Sequence, residues 1–455
     1  MKTKTMMRTG ALALSLLATS VMAAVSPEEA AQLGTTLTPL GGQKEGNANG
    51  SIPAWTGGLK ANAAPVTNGF VGNPFENEKP LLVITPANAE QHKDKLTPGQ
   101  LAMFKRYPNS YKIPVYPTHR TSSSPQKIYD IVKKNAVSTQ LVNDGNGVGN
   151  FGDAHYFPFP IPKSGVEVYF NHATRYRGGG YKRGTAQAVP QPDGSYIIVQ
   201  IEEEMGYPEK MQGVDPATAA NVLYYYKNTI TGPARLAGTV SLIHETIDQI
   251  KDPRQAWVYN AGQRRVRRAP QLAYDGPGSA SDGMRTSDNA DMFNGAPDRY
   301  DWKLVGKKEM YIPYNNYKLQ SPDVKYADIL KPGHINQDLS RYELHRVWHV
   351  EATLKPSQRH IYAKRDMYFD EDSWTLVEAD HYDGRGQLWR VAEGYPFSDY
   401  VNGISVYAVQ SIADLVAGRY VAFGMMNETG KGPNYDVSYK LADFTPSALR
   451  NAGVR

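Results

Sequence analysis

From Arg341 to Leu354 the side chains alternate in character. Tyr342, Leu344, Trp348, Val350, Ala352 and Leu354 share one parity, and Arg341, Glu343, His345, His349, Glu351 and Thr353 the other. A repeat of two sustained over such a run is a strand with one apolar face, whereas a helix would repeat every 3.6 residues. The reading excludes a tempting alternative for His345-Arg346-Val347-Trp348-His349. Histidines four apart share one helix face and can bind one zinc ion, but on a strand they lie about 13 Å apart at ~3.3 Å per residue. Zinc holds its histidine nitrogens at about 2.0–2.1 Å. Arg346 also stands where a helical zinc protease carries its general-base glutamate. The two histidines are therefore expected to face water, and no metal site is expected.

The surrounding sequence has the same texture. From about residue 155, strands are expected over Val166–Asn171, Tyr196–Glu202, Val222–Thr229, Leu236–Ile247, Ala256–Val266, Tyr342–Leu354, His360–Phe369, Trp374–Tyr382 and Gln387–Glu393. Asp193-Gly194 and Asp383-Gly384 are hairpin dipeptides. Short connections of this kind imply an antiparallel meander, not a parallel sheet with crossover helices. The 30 tyrosines against 12 phenylalanines suit half-buried strands or an apolar cavity with a wet mouth. A loop over residues 271–299, rich in Gly, Ser, Asp and Asn, is long enough to be either functional or disordered.

The N-terminal part reads differently. Lys2, Lys4 and Arg8, an apolar stretch around Ala11–Ala18 and the small-residue site Val21-Met22-Ala23 form a secretory signal peptide over residues 1–23, with cleavage expected after Ala23. Residues 24–125 form an irregular region expected to pack on the main domain at 126–455. Within it, Ser26-Pro27 and Pro98–Arg106 mark helix starts, and Ser124 before Pro125 is expected to cap a third helix through Ile128, Ile131 and Val132.

Charge and motif content narrow the function classes. The formal net charge is +5, and three of those charges sit on Lys2, Lys4 and Arg8, so the mature chain carries +2, no nucleic-acid footprint. With 0 cysteines there is no disulfide, thiolate site or lipid-acceptor cysteine, and a periplasmic protein without a lipid anchor is expected. The dense quartet Arg264, Arg265, Arg267 and Arg268 is either a solvated strand face or a contact for phosphate headgroups or an acidic partner. Gly145-Asn146-Gly147-Val148-Gly149 lacks the strand and βαβ unit of a dinucleotide fingerprint and reads as a flexible loop. Asp288, Asp291 and Asp298 do not have EF-hand spacing. No Gly-x-Ser-x-Gly elbow occurs, so no catalytic residue and no cofactor is expected.

Several ordered motifs carry a family resemblance. They are Leu37-Thr38-Pro39 with Gly50–Gly58, Pro158–Pro162, Asn171-His172 with Arg175-Tyr176-Arg177-Gly178, Trp257-Val258-Tyr259 with Arg264–Pro270, and the run from Tyr342 through Trp374 to Trp389. Together they resemble the exported bacterial domain-of-unknown-function family 1329, which is similar to the lipoprotein carriers LolA and LolB. The resemblance implies a mainly β (α+β) fold, an incomplete antiparallel β-barrel of LolA/LolB-like type with covering helices. It also implies an inner-membrane exporter of the resistance-nodulation-division type and an outer-membrane protein as partners. The chain departs from the carriers in its long N-terminal region, its 271–299 loop and its lack of an anchoring cysteine, which puts lipoprotein transfer itself in doubt.

On that fold the expected function is a periplasmic carrier or accessory protein that shields a lipid or other hydrophobic molecule. Leu344, Trp348, Val350 and Leu354, with Ile361, Ala363, Met367 and Phe369 from the next strand, are the candidates for lining the cavity. Ordinary core packing is the alternative for each. Arg346, the one charge on the apolar face, makes either a salt bridge at the strand's exposed end or a polar contact deep in the cavity. A non-transporting adaptor of an export complex and, less favoured, an envelope hydrolase are the competing functions.

Overall fold

The computed structural model describes residues 25–152, 154–215, 218–269 and 274–453. The expected signal peptide and its cleavage point lie outside these residues. Fifteen strands form one sheet: β1 Leu82–Ile84, β2 Ile113–Val115, β3 Tyr181–Ala188, β4 Val199–Gly206, β5 Val222–Gly232, β6 Val240–Thr246, β7 Gln255–Asn260, β8 Arg265–Arg268, β9 Tyr300–Pro313, β10 Tyr342–Leu354, β11 Lys364–Asp370, β12 Leu376–Tyr382, β13 Leu388–Asp399, β14 Ile404–Asp414 and β15 Arg419–Met425. Helices are few, among them α1 Pro27–Ala30, α2 Pro98–Arg106, α3 Gln126–Ser138 and α4 Gly165–Ala173.

The meander has two halves that meet in the middle. Strands β3 to β8 pair in chain order out to one edge, β9 to β15 pair in chain order inward from the other, and β15 pairs with β3 where the two halves meet. The sheet is open, because β8 and β9 lie at opposite ends of this path. Among the described residues every strand pairing in this sheet is antiparallel except one: Val115 of β2 lies parallel to Tyr342 of β10. This parallel contact sits beside the stretch of β10 that β11 leaves unpaired, so the N-terminal region extends the sheet.

Both faces are buried over most of strands β10 to β15. On one, α4 places Tyr169 and Phe170 in a core with Val350, Met367, Phe369 and Trp374. On the other, Met103 and Phe104 of α2 pack with Tyr342, Leu344, Val391 and Tyr395. This double cover overturns the expectation that His345 and His349 face water, since they are only 1% and 7% exposed. Rings from the flanking strands stack on them, Tyr314 on His345 at 3.8 Å and Tyr368 on His349 at 4.6 Å between centroids. Their ring nitrogens find Glu343 and Asp366 at 3.0 and 3.2 Å.

Other local expectations are corrected in the same way. Val166–Asn171 lies in helix α4, because Ser164 and Glu167 close a capping box at its start; short apolar runs do not separate helix from strand by periodicity. Helix α3 begins at Gln126 after Pro125, without a side-chain cap from Ser124. The run Ala256–Val266 folds back on itself as the hairpin β7–β8, with Arg264 in the left-handed region at φ 52°. The 145–149 glycines are not a loose loop. Gly147–Gly149 pairs with Gln140–Val142 across a turn whose Asn143, Asp144 and Gly145 all have positive φ.

The segment 274–299 connects β8 at one edge to β9 at the other, and so must cross the sheet. It is tied down along the way. Gln187 of β3 donates to the Ser279 carbonyl at 3.0 Å, Arg390 of β13 to the Gly283 carbonyl at 2.9 Å, and the Met292 amide to Gln410 of β14 at 2.8 Å. Asp288 accepts from Arg365 of β11 at 2.7 Å. The segment's own Met292 and Phe293 are fully buried in the core beside α4.

Candidate functional site

Beneath this strap lies a cavity of about 180 Å³. Its wall follows from the period of two: alternate residues of β3 from Tyr181 to Gln187, of β4 from Ile201 to Met205 and of β5 from Tyr224 to Ile230 point into it. Tyr407, Gln410 and Phe423 from β14 and β15 complete the sheet side, and Ser279, Ala280, Arg285, Asp291 and Asn294 come from the strap. Arg175 and Arg177, directly after α4, reach in from the helix side.

The charges in and around the cavity are mostly arranged in pairs. Asp291 accepts from Arg175 at 2.7 Å and from Arg177 at 2.6 Å. Burial alone would raise this carboxyl, but the two guanidiniums outweigh it and hold it below the usual carboxylate range. His172 of α4 lies behind them, fully buried between the Trp374 and Asp291 carbonyls. Burial, reinforced by Arg175, pushes it down to about 3, so it is neutral. Glu203 takes Arg183 at 2.6 Å and the Tyr226 hydroxyl at 2.9 Å, and Glu245 takes Arg254 at 2.8 Å. Four guanidiniums on the cavity wall, Arg175, Arg177, Arg183 and Arg285, thus face three carboxylates, an excess of one positive charge in a space whose remaining wall mixes isoleucine, methionine, phenylalanine and tyrosine with polar Thr185, Gln187, Asn228 and Gln410.

The candidates named from sequence lie elsewhere. None of Leu344, Arg346, Trp348, Val350, Leu354, Ile361, Ala363, Met367 and Phe369 lines this cavity. Val350, Met367 and Phe369 are buried against α4, with Trp348 and Leu354 packed at the rim of the same core. Leu344 belongs to the opposite core, Ala363 is half-buried and Ile361 is 39% exposed. Arg346 is in an ion pair with Glu371 at 3.3 Å and donates to the Glu45 carbonyl at 3.1 Å. Arg264, Arg265, Arg267 and Arg268 are brought together, all exposed, on and beside the edge strand β8. The cavity arginines were less visible in the sequence. Arg175-Tyr176-Arg177 follows an apolar run that also reads as a strand, and Arg285 sits in a loop with no period at all.

Among the described residues one group could offer a metal ion three ligands: His345, Asp370 and Asp372 bring ligand atoms within 4.8 Å of one another. Arg120 already clasps both Asp372 oxygens, at 2.8 and 2.6 Å, which makes that carboxylate a salt-bridge partner first. His349 has no part in the group, as strand spacing requires.

Comparison with known proteins decides the family. The model of the family described as "Protein of unknown function (DUF1329)" matches residues 83–450. The chain belongs to DUF1329. An uncharacterised protein of Pseudomonas aeruginosa is 60% identical to this DUF1329 chain over 454 residues, covering 100% of it and 99% of the relative. A solved DUF1329 protein from Desulfovibrio piger is similar over 59% of the chain and 90% of its own length, at 16% identity and a TM-score of 0.41. A Vibrio parahaemolyticus domain described as an outer-membrane lipoprotein-sorting protein is similar over 63% of the chain and 98% of its own, at 12% identity and a TM-score of 0.44. The family match takes in the sheet from Val83 of β1 onward, the strap and every residue that lines the cavity. No helix among the described residues is long and apolar enough to cross a membrane.

Proposed function

We propose that this DUF1329 member is a periplasmic carrier or accessory protein that shields a lipid or other hydrophobic molecule inside the open sheet, working with an inner-membrane exporter and an outer-membrane partner. The observation that carries the reading is the cavity under the 274–299 strap. Its volume exceeds the ~150 Å³ of an apolar cavity that admits a benzene-sized guest. A chain inserted there gains roughly 0.8 kcal/mol for each methylene withdrawn from water. About ten buried methylenes would supply the ~8 kcal/mol of a micromolar complex, so a long chain needs little else for affinity. Organic extraction of protein purified from its native envelope, followed by mass spectrometry, is expected to release a lipophilic molecule in stoichiometric amount. A lipid-free preparation that also fails to bind a fluorescent fatty acid would overturn the carrier reading.

A second reading rests on the four exposed arginines at edge strand β8. They fit an adaptor surface for an acidic partner, while isolated edge arginines also serve to keep sheet edges from pairing. Replacing all four by glutamate is expected to abolish cross-linking to the exporter in cells and to leave fatty-acid binding unchanged. Unaltered cross-linking would reduce the quartet to edge protection.

A further inference from the structure

The cavity's charges do not all cancel, and the exception is specific. Arg175, Arg177, Arg183 and Arg254 each have a carboxylate within 2.8 Å. Arg285 has no carboxylate within ion-pair distance among the described residues, and its Nε is buried without a hydrogen-bond partner. The guanidinium lies over the Phe423 ring, 4.9 Å from the centroid. Glu203, on the same cavity wall, is already held by Arg183 and Tyr226. Desolvation pulls Arg285 below the ordinary arginine value, a direction that marks a cation short of compensation.

An arginine kept charged in such surroundings costs free energy until an anion meets it, and its planar fork fits a carboxylate or phosphate through two parallel hydrogen bonds. Directly beside it are apolar groups without polar demands, Phe423 with Ile201 and Ile230 across the same space. An unpaired positive charge beside the apolar stretch of a cavity is the complement of an amphiphile. Resting on the carrier reading above, we propose that Arg285 is the headgroup subsite of the cavity and takes the anionic group, carboxylate or phosphate, of a single-chain amphiphile whose chain lies along Ile201, Ile230 and Phe423. A volume of about 180 Å³ favours one chain over two. The strap thereby carries the residue that recognises the cargo it covers.

The test is a fluorescence-displacement titration of the full chain with three ligands of equal medium chain length: an alkyl carboxylate, an alkyl phosphate and the uncharged alcohol. At least one anion is expected to bind about tenfold or more tightly than the alcohol, about 1.4 kcal/mol, and the tighter of the two names the headgroup. Arg285→Met is expected to bring anion and alcohol to equal affinity without weakening the alcohol, and Arg285→Lys to keep a part of the preference. If the wild-type protein binds alcohol and both anions equally, or Arg285→Met keeps the preference, the headgroup subsite is overturned while the carrier stands. If none of the three binds, the carrier reading itself fails. The wild-type comparison decides even if a variant does not fold.

Discussion

Replacing Arg120 with alanine is expected to destabilise the fold by about 3–5 kcal/mol, the usual cost of stripping one partner from a buried ion pair. Arg120 belongs to the irregular N-terminal region, yet its guanidinium is 2% exposed and binds the turn between β11 and β12. It donates to both Asp372 oxygens at 2.8 and 2.6 Å, and to the carbonyls of Gln43 at 2.7 Å and Lys44 at 3.1 Å. One side chain therefore ties two N-terminal segments to the sheet. Alanine leaves Asp372 buried without its cation, while Glu371 keeps Lys307 at 2.7 Å and Arg346 at 3.3 Å. Urea unfolding checks the magnitude. The double replacement Arg120→Met with Asp372→Leu is expected to recover much of the loss, because no unpaired charge then remains. An unchanged midpoint in Arg120→Ala would mean that the N-terminal region contributes little to the stability of the sheet.

That tie also marks the limit of what could be read from the chain. Strand β10 was legible to the residue, Tyr342–Leu354, because its alternation is long and interrupted only at Arg346 and Val347. Helix α2 was legible at both ends, since Thr97 and Gln100 form its capping box and Pro98 opens it. Strands β3, β9, β14 and β15 were not. In β9 the polar run Lys307-Lys308-Glu309 interrupts the apolar pattern, and in β14 apolar and small residues fill both parities because both faces of the sheet are covered. A sheet buried on two sides loses the contrast on which periodicity depends.

The same loss of contrast hid the cavity under the strap. On β10 a charged residue stands out against an apolar face, so Arg346 drew notice, and its place is an ion pair with Glu371. Arg183, Glu203 and Tyr226 lie on strands whose inward faces are mixed, which resembles a solvent face in one dimension. Only the pairing of β3, β4 and β5 brings them together. The segment 271–299 was recognisable as too long for an idle connection, but not what it does. Asp288 and Asp291, whose spacing fits no calcium loop, are the anchors that Arg365, Arg175 and Arg177 hold.

Stability is expected to fall as pH rises from 6.5 to 8, and Asp380→Asn is expected to make that fall shallower. Asp380 of β12 is fully buried; its Oδ2 accepts from the Gly99 amide of α2 at 2.8 Å, and its Oδ1 has no partner. Gly99 leaves no room there for a Cβ, so the helix turn sits directly on the carboxyl. Burial, with Asp366 opposite in register and Glu393 nearby adding repulsion, pushes Asp380 up to about 8 against the pull of the Gly99 amide and Lys364. The folded form keeps this proton to about pH 8, while the unfolded chain releases it near the ordinary aspartate value of about 3.9. Rising pH therefore favours unfolding throughout that interval, by about 1.4 kcal/mol per pH unit, or about 2 kcal/mol between 6.5 and 8. Glu378 and Glu393, both raised by burial, act in the same direction. Below 6.5 the sign is contested, because buried His155 and His172, pushed down to about 4 and about 3, cost stability as acid protonates the unfolded chain first. The window above 6.5 isolates the carboxyls. Urea unfolding at pH 6.5 and 8.5 should show both proteins losing stability, with Asp380→Asn losing about 2 kcal/mol less than the wild type. Parallel profiles for the two proteins would show that Asp380 ionises at an ordinary pH despite its burial beneath α2.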